Sequence, residues 1–231
     1  MVEFSVVIPA YNEAKYIGRT LSALKNQTFK DFEIIVKDGK SQDQTVKIAK
    51  KFTKKVISLK DTSAADARNQ GARHATGEIL VFMDADTALP PETLAHFSQL
   101  MKNENVVGVS CRKVPQSSSA LDRVMYEFVN ISTYVSSVMR LGGAHGNLML
   151  IRRRVFEQVG GFNPNIIVAE EQDLVRRATK HGKYKFLLDY CVLENPRRLQ
   201  TWGRLRVYNA WLVGMYKSFR AGKKQPYEKV R

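Results

Sequence analysis

Asp84 and Asp86 are two carboxylates one residue apart, placed just after the apolar run Ile79-Leu80-Val81-Phe82-Met83. In an extended chain residues i and i+2 project to the same side, so both carboxylates can address one point. Hard oxygen ligands of that kind suit Mg²⁺ or Mn²⁺ carrying phosphate groups. A plainer role competes with this one, in which Asp-Ala-Asp caps the helix opened by Pro90-Pro91. Other residues with chemical capacity stand elsewhere. Tyr11-Asn12-Glu13 and Asp38-Gly39 follow further apolar runs, and Glu170-Glu171-Gln172-Asp173 opens a helix-like stretch. His145 lies in the glycine-rich loop 142–147, and Arg197-Arg198 follows the last strand-like segment.

The elements that must hold these groups alternate between buried strands and amphipathic helices. Phe4 to Ala10 reads as a first strand, closed by Pro9, which has no N–H for a ladder. Tyr16, Ile17, Leu21 and Leu24 share one helical face, and Phe32 to Val36 then forms a second strand. Ser41 or Asp43 starts a helix, Val56 to Leu59 is a short third strand, and Ala64 to Ala75 is the next helix. Ile79 to Met83 is the central strand, buried on both faces. Pro91 to Met101 reads as a helix and Val106 to Ser110 as a strand. This is a doubly wound α/β pattern, and such sheets bind ligands outside the carboxyl ends of their strands. The groups after the first, second and central strands are therefore expected in one crevice. Singly, Asn12 and Asp38 are common turn residues and Glu13 a plausible first-turn helix acid.

The later half is read less sharply. Pro115 to Ser119 is a loop, and Leu121 to Met139 a long segment with no charge between Glu127 and Arg140. It is expected to be a buried helix, with a helix at a lipid interface or an acceptor-site wall as the alternative. After Leu148 to Ile151 a short helix runs to Val159, and another follows from Glu170 to His181. Tyr184 to Leu188 and Cys191 to Leu193 read as two short strands, and Trp202 to Phe219 as an amphipathic helix.

Five blocks in order resemble family 2 of the inverting nucleotide-sugar glycosyltransferases, which have the GT-A fold. They are Val7-Ile8-Pro9-Ala10-Tyr11-Asn12-Glu13, Asp38-Gly39-Lys40-Ser41-Gln42-Asp43, Ala67-Arg68-Asn69-Gln70-Gly71, Ala75-Thr76-Gly77-Glu78 and Met83-Asp84-Ala85-Asp86. Gly160-Gly161-Phe162 and Glu170 to Leu174 extend the likeness more weakly. The resemblance implies a single GT-A domain over 1–231, with a Rossmann-like, mostly parallel twisted sheet flanked by helices. Its nucleotide-sugar-binding half would be 1–112, its acceptor-side half 113–195, and its basic C-terminal helical tail 196–231.

The resemblance also implies roles. Pro9, Tyr11 and Glu13 would line the base and ribose of a UDP- or GDP-type donor, and Asp38 would hydrogen-bond the base. Arg68 would lie near the ribose or the first metal-binding Asp. Asp84 and Asp86 would be the Asp-x-Asp motif, with Asp86 the direct ligand of Mn²⁺ or Mg²⁺. The family's catalytic base is the Asp of a Glu-Asp pair, and here that place is held by Glu171, with Asp173 in reserve. Many relatives add a His near the end of the last strand, where this chain has Glu194-Asn195-Pro196. Arg197 and Arg198 could clamp the diphosphate instead, since arginine forks match phosphate oxygens, or stand solvated on the surface. His145 reads as structural or acceptor-side.

The chain has 231 residues, 44% hydrophobic and 26% charged, with a net charge of +15. That length suits one large domain. From residue 197 onward ten Lys or Arg stand against one acidic residue, Glu228. Such charge suits nucleic acid, anionic membrane surfaces or phosphorylated small molecules alike. Nucleic acid is disfavoured, because stacking or groove-reading motifs are missing. A polyprenyl-linked acceptor at an anionic surface is the leading version and a soluble acceptor the alternative. A nucleotide-sugar-binding protein without catalysis is a further alternative. Two cysteines without paired-ligand spacing and the absence of a signal peptide point to a cytoplasmic protein, at the inner face of the cell membrane in the lipid-acceptor version.

Overall fold

The computed structural model describes residues 2–117, 119–166, 169–195 and 197–209. Its first half follows the expected alternation. β1 (Phe4–Ala10), β2 (Phe32–Asp38), β3 (Lys55–Ser58) and β4 (Ile79–Met83) are connected through α1 (Ile17–Lys25), α2 (Thr45–Ala49) and α3 (Ala64–Ala72). β3, β2, β1 and β4 run parallel, so the loops after β1, β2 and β4 all open on one rim. β4 is buried along its whole length, which is why its sequence lacks alternation. Gly77, just before it, allows a close approach, since a Cβ there would lie 2.7 Å from the Phe4 carbonyl carbon and the Ser5 nitrogen.

The second half adds β5 (Thr87–Ala88), α4 (Thr93–Met101), β6 (Val106–Pro115), α5 (Ala120–Val138) and β7 (Leu148–Arg152). It continues with α6 (Arg153–Gln158), α7 (Glu170–Ala178), β8 (Lys183–Glu194) and α8 (Arg197–Trp202). The single sheet has the order β3-β2-β1-β4-β7-β6-β8-β5. β7 is antiparallel to both neighbours, pairing Leu148 with Met83, whereas β6 and β8 are parallel. One apolar cluster, including Ile17, Leu21, Phe97 and Val81, fills one face. A second, including Ala65, Phe82, Phe162 and Leu174, fills the other. The fold is thus the expected α/β sheet with helices on both faces.

Several elements depart from the sequence reading. The two short strands expected at 184–188 and 191–193 are one strand, β8, whose register shifts between Cys111 and Arg112 of its partner. That irregularity breaks the apolar pattern and imitates a loop. β6 continues past Ser110 to Pro115, and β5 pairs Thr87 with Glu194 where only a strand end was expected. Gly203, at φ +80°, interrupts the helix expected from Trp202, so that α8 ends there and residues 204–209 are helical again. The remainder of that expected helix, and the basic residues beyond it, lie outside the described residues. Both cysteines are free, as expected, with Cys111 buried.

The largest correction concerns the expected buried helix. α5 buries its polar side, with Asp122, Asn130, Thr133 and Ser137 turned inward beside Tyr126 and Val129. Its apolar side faces outward, with Val124 64%, Phe128 49% and Val138 66% exposed. The inward face is held by hydrogen bonds. Asn130 Oδ1 accepts from the Lys113 backbone N–H at 3.1 Å, and Asn130 Nδ2 donates to the Lys113 carbonyl at 3.0 Å. Composition alone hid this orientation, because uncharged polar residues packed on one side and apolar ones on the other read as one uncharged segment.

Candidate active site

The crevice is built at the carboxyl ends of β1, β2 and β4. After β1 the chain turns through Asn12 at φ 55°, a left-handed conformation that Asn tolerates. Its Oδ1 accepts from the Gln42 N–H at 2.9 Å, and its own N–H donates to Ser41 Oγ at 2.8 Å. The β1 loop is thereby laced to the β2 loop, and the Glu13 N–H is fixed by Thr45 Oγ1 at 2.7 Å. Asp38 is fully buried, and its carboxylate accepts from Ser58 Oγ and from the Lys40 and Ser41 N–H groups. In this structure Asp38 therefore holds its own turn. Tyr11 stands over Gly39, where a Cβ would meet its ring at 3.4 Å.

Two arginines organise the carboxylates. Arg68, on α3 and buried, reaches Glu170 Oε1 with Nη1 at 2.7 Å and Asp84 Oδ1 with Nη2 at 3.1 Å. Its Nη2 also donates to the Gly146 carbonyl, and its guanidinium lies 5.5 Å from the centre of the Phe162 ring. Arg197, at the start of α8, reaches Glu13 Oε2 at 2.6 Å and Asp86 Oδ2 at 2.8 Å, with its guanidinium 5.2 Å from the Tyr16 ring centre. The carboxyl groups of Glu13 and Asp86 are each 9% exposed. Burial, with the charge of Asp84 beside it, pushes the Asp86 carboxyl up to about 7. Glu194 and Glu13 add negative charge around the same group.

Glu171 lies in the first turn of α7, next to Glu170. Its side chain is half-buried, and desolvation, with the charge of Glu170, raises its carboxyl to about 7. It faces the glycine loop, for a Cβ on Gly146 would lie 3.0 Å from Arg68 Nη2 and 3.8 Å from Glu171 Oε1. Ala169, which precedes the helix, holds φ 64°, a strained setting for a residue with a Cβ. Asp173 is differently engaged. Arg176 at 3.0 Å and Arg177 at 2.7 Å hold its carboxylate, while Arg177 also bonds the Val159 and Gly161 carbonyls.

Of the residues singled out from the sequence, the crevice brings together Tyr11, Glu13, Asp84, Asp86, Arg68, Glu171 and Arg197, with Pro9 in β1 and Asp38 beneath. His145 is not among them. It is buried, its ring Nε2 lies 3.1 Å from Asn130 Oδ1, and burial with nearby Lys113 keeps it neutral by lowering its pKa. The side chain of Arg198 lies outside the described residues. Asn147 escaped the sequence reading. It is 4% exposed, both polar atoms of its side chain lack a hydrogen-bond partner, and its carbonyl accepts from the Asp84 N–H at 3.2 Å. That backbone bond ties the glycine loop to the Asp84 turn just beyond the Met83–Leu148 pair of β4 and β7. Glu194 was noted only as a departure, yet its charge is felt at Asp86, and its pairing with Thr87 carries it there.

Could these groups hold a divalent cation? Asp84 and Asp86 offer hard oxygens at one strand end, the donor type that Mg²⁺ or Mn²⁺ takes. Each is now paired with an arginine, Arg68 and Arg197, and among the described residues no three His, Cys, Asp or Glu side chains form a ready cage. The chain is similar to proteins of a known family. The description "Glycosyl transferase family 2" matches residues 5–160. A poly(ribitol-phosphate) beta-N-acetylglucosaminyltransferase, TarS of Staphylococcus aureus, is 34% identical over 132 residues, 51% of this chain and 23% of that protein. The glycosyltransferase AglE of Haloferax volcanii is 29% identical over 77% of this chain and 62% of its own length. The chain thus spans between about a quarter and three fifths of these two relatives. Among solved structures, the mannosyltransferase PcManGT from Pyrobaculum calidifontis, in complex with GDP-Man and Mn²⁺, superposes with TM-score 0.75 at 26% identity, covering 97% of this chain and 66% of that one. TarS residues 1–349 with UDP-GlcNAc superpose with TM-score 0.66 at 21% identity, a likeness of fold, covering 84% and 58%.

Proposed function

The chain belongs to glycosyl transferase family 2, and from that membership we propose that it moves a sugar from a nucleoside-diphosphate sugar to an acceptor with inversion at the anomeric carbon. The observation that carries the reading is the meeting of Asp84, Asp86 and Glu13 with Glu171 across Arg68 at one strand rim. The base and ribose lie along Pro9, Tyr11 and Glu13, with Asp38 setting the turn beneath them. PcManGT carries GDP-Man and TarS carries UDP-GlcNAc, which makes GDP and UDP the donors to try first.

Asp84 and Asp86 would hold Mn²⁺ or Mg²⁺, and that ion would supply Lewis-acid stabilisation for the departing diphosphate. Arg197 is the residue placed to exchange its carboxylate partners for phosphate oxygens. Glu171 takes the proton of an acceptor hydroxyl as that oxygen bonds to the anomeric carbon. The bond from that carbon to the diphosphate breaks on the opposite face, and its electron pair leaves with the nucleoside diphosphate. Arg68 fixes the spacing by pairing Glu170 on the helix of the base with Asp84 on the metal side. A lipid-linked acceptor is the version favoured by the outward apolar face of α5 and the basic charge; a soluble acceptor is the alternative.

Calorimetric titration of GDP and UDP with and without Mn²⁺ tests the site. Asp86→Ala should lose the Mn²⁺-dependent part of binding while its circular dichroism and melting profile persist, because Asp86 lies at a crevice rim. Unchanged Mn²⁺-dependent affinity in that variant overturns the metal assignment.

A further inference from the structure

α5 has its amphipathicity turned outward. Leu121, Val124, Phe128, Ile131, Val135 and Val138 recur at three- and four-residue spacing, and every one is at least 48% exposed. They form one stripe on a helix of 19 residues, about 27 Å long at 1.5 Å per residue. The opposite face is bonded into the sheet through Asn130 and Ser137, and Asp122 on that face is held by Arg204 and Tyr208, so the stripe cannot turn inward. A contiguous apolar face of this size marks a docking surface.

The charge around the stripe selects the occupant. The stripe itself contains no acidic residue, the flanking Glu127 is paired with Arg112 at 3.6 Å, and the exposed Arg123 and Arg140 stand towards its two ends. At its N-terminal end Arg204 and Tyr208 bind Asp122 at 2.7 Å each, which brings helical residues 204–209 alongside, with Leu205 81% exposed and Arg206 exposed next to it. An antiparallel second copy seated on the stripe would set Arg123 of one chain towards Arg140 of the other, like against like. An anionic lipid surface instead takes apolar side chains below its headgroups and arginines among them. No described helix is long and apolar enough to cross a membrane, so this one would lie along it.

We propose that the outward face of α5, with residues 204–209, is a docking surface for anionic lipid, on which the helix lies parallel to the membrane. Its position relative to the crevice gives the docking a purpose. Arg197, which holds Asp86, is seven residues before Arg204, which holds Asp122, so the N-terminal end of α5 is tied to the rim of the crevice. A lipid headgroup carrying the acceptor would be presented there. The inference rests on the lipid-linked reading of the acceptor only for that purpose, and binding is measured without donor or acceptor.

The test is co-sedimentation of the full chain with phosphatidylcholine vesicles, with and without phosphatidylglycerol. The wild type should bind the anionic vesicles, and Phe128→Glu with Val135→Glu should weaken this by roughly tenfold or more. A control with Gln99→Glu and Lys102→Glu, which lowers net charge by at least as much, should keep most of the binding, and the melting profile and nucleotide binding of both variants should match wild type. Failure of the wild type to bind either vesicle overturns the proposal. So does a dimer, seen by sedimentation velocity, that the stripe variant dissociates. Binding that appears only after removal of residues 210–231 also overturns it, since the chain's own end would then be the occupant. If transfer fails while docking holds, the reading of the reaction is wrong and this one stands.

Discussion

At the scale of single residues, Glu171 is the sharpest test. An alcohol acceptor is a poor nucleophile at neutral pH, so Glu171→Gln should lower turnover by roughly 10² to 10⁴ while donor affinity holds. A phosphate acceptor arrives ionised and would show little loss. Single-turnover rates with saturating donor separate the two, and a large loss in Asp173→Asn instead would move the role to that residue. The raised carboxyl gives a pH signature. A base at about 7 must be deprotonated to act, so turnover should fall as pH drops through about 7, and the fall should shrink in Glu171→Gln to the part that Asp86, also raised to about 7, contributes. Stability runs the other way. Between the ordinary Glu value of 4.5 and about 7 the folded state binds more protons than the unfolded one, so stability falls as pH rises through that window. Glu171→Gln should therefore gain in melting temperature over wild type, and by more at about pH 8 than at about pH 5. Asp84 and Asp86 were legible in the sequence because spacing places them at a strand end, whereas Glu171 was reached through the resemblance of its block to the family. The pairing of Arg197 with Glu13 spans 184 residues, and no local pattern encodes it. Asn147 was hidden for another reason, since an Asn after glycines reads as a turn residue.

At the scale of elements, two devices can be broken singly. Asn130 satisfies the N–H and carbonyl of Lys113 and meets His145, pinning α5 to β6. Asn130→Ala leaves buried backbone groups unpaired and should cost about 3 kcal/mol, read by urea denaturation. Gly77→Ala places a Cβ 2.7 Å from backbone atoms of Phe4 and Ser5, which no side-chain rotation relieves. It should destabilise by roughly 1 to 3 kcal/mol and shift β4 against β1. In that variant nucleotide affinity should fall along with the denaturation midpoint, because Asp84 and Asp86 ride on the end of β4. The first four strands were legible because a buried parallel strand is a continuous apolar run. α5 was not, because a helix whose inward side is Asn, Thr and Ser carries its apolar signal on the wrong face for the usual inference.

At the scale of the whole molecule, a net charge of +15 acts over distances set by salt. Deleting residues from Ala221 onward removes Lys223, Lys224, Lys229 and Arg231 together with Glu228. Each basic residue near an anionic surface contributes about 1 kcal/mol, so vesicle binding should weaken and lose salt dependence on truncation, as sedimentation across a salt series would show. Equal binding to neutral and anionic vesicles would argue for a soluble acceptor. The overall class was legible from alternation, and strand order was not, because the sequence does not mark the direction of β7. That one reversal reaches further than topology. β1, β2 and β4 supply loops where strands leave the sheet, whereas β7 supplies loop 142–147 where a strand enters it, yet both kinds open on the same rim. The rim is thus drawn from distant stretches of the chain, and lengthening a loop after β1, β2 or β4 need not lengthen the one before β7.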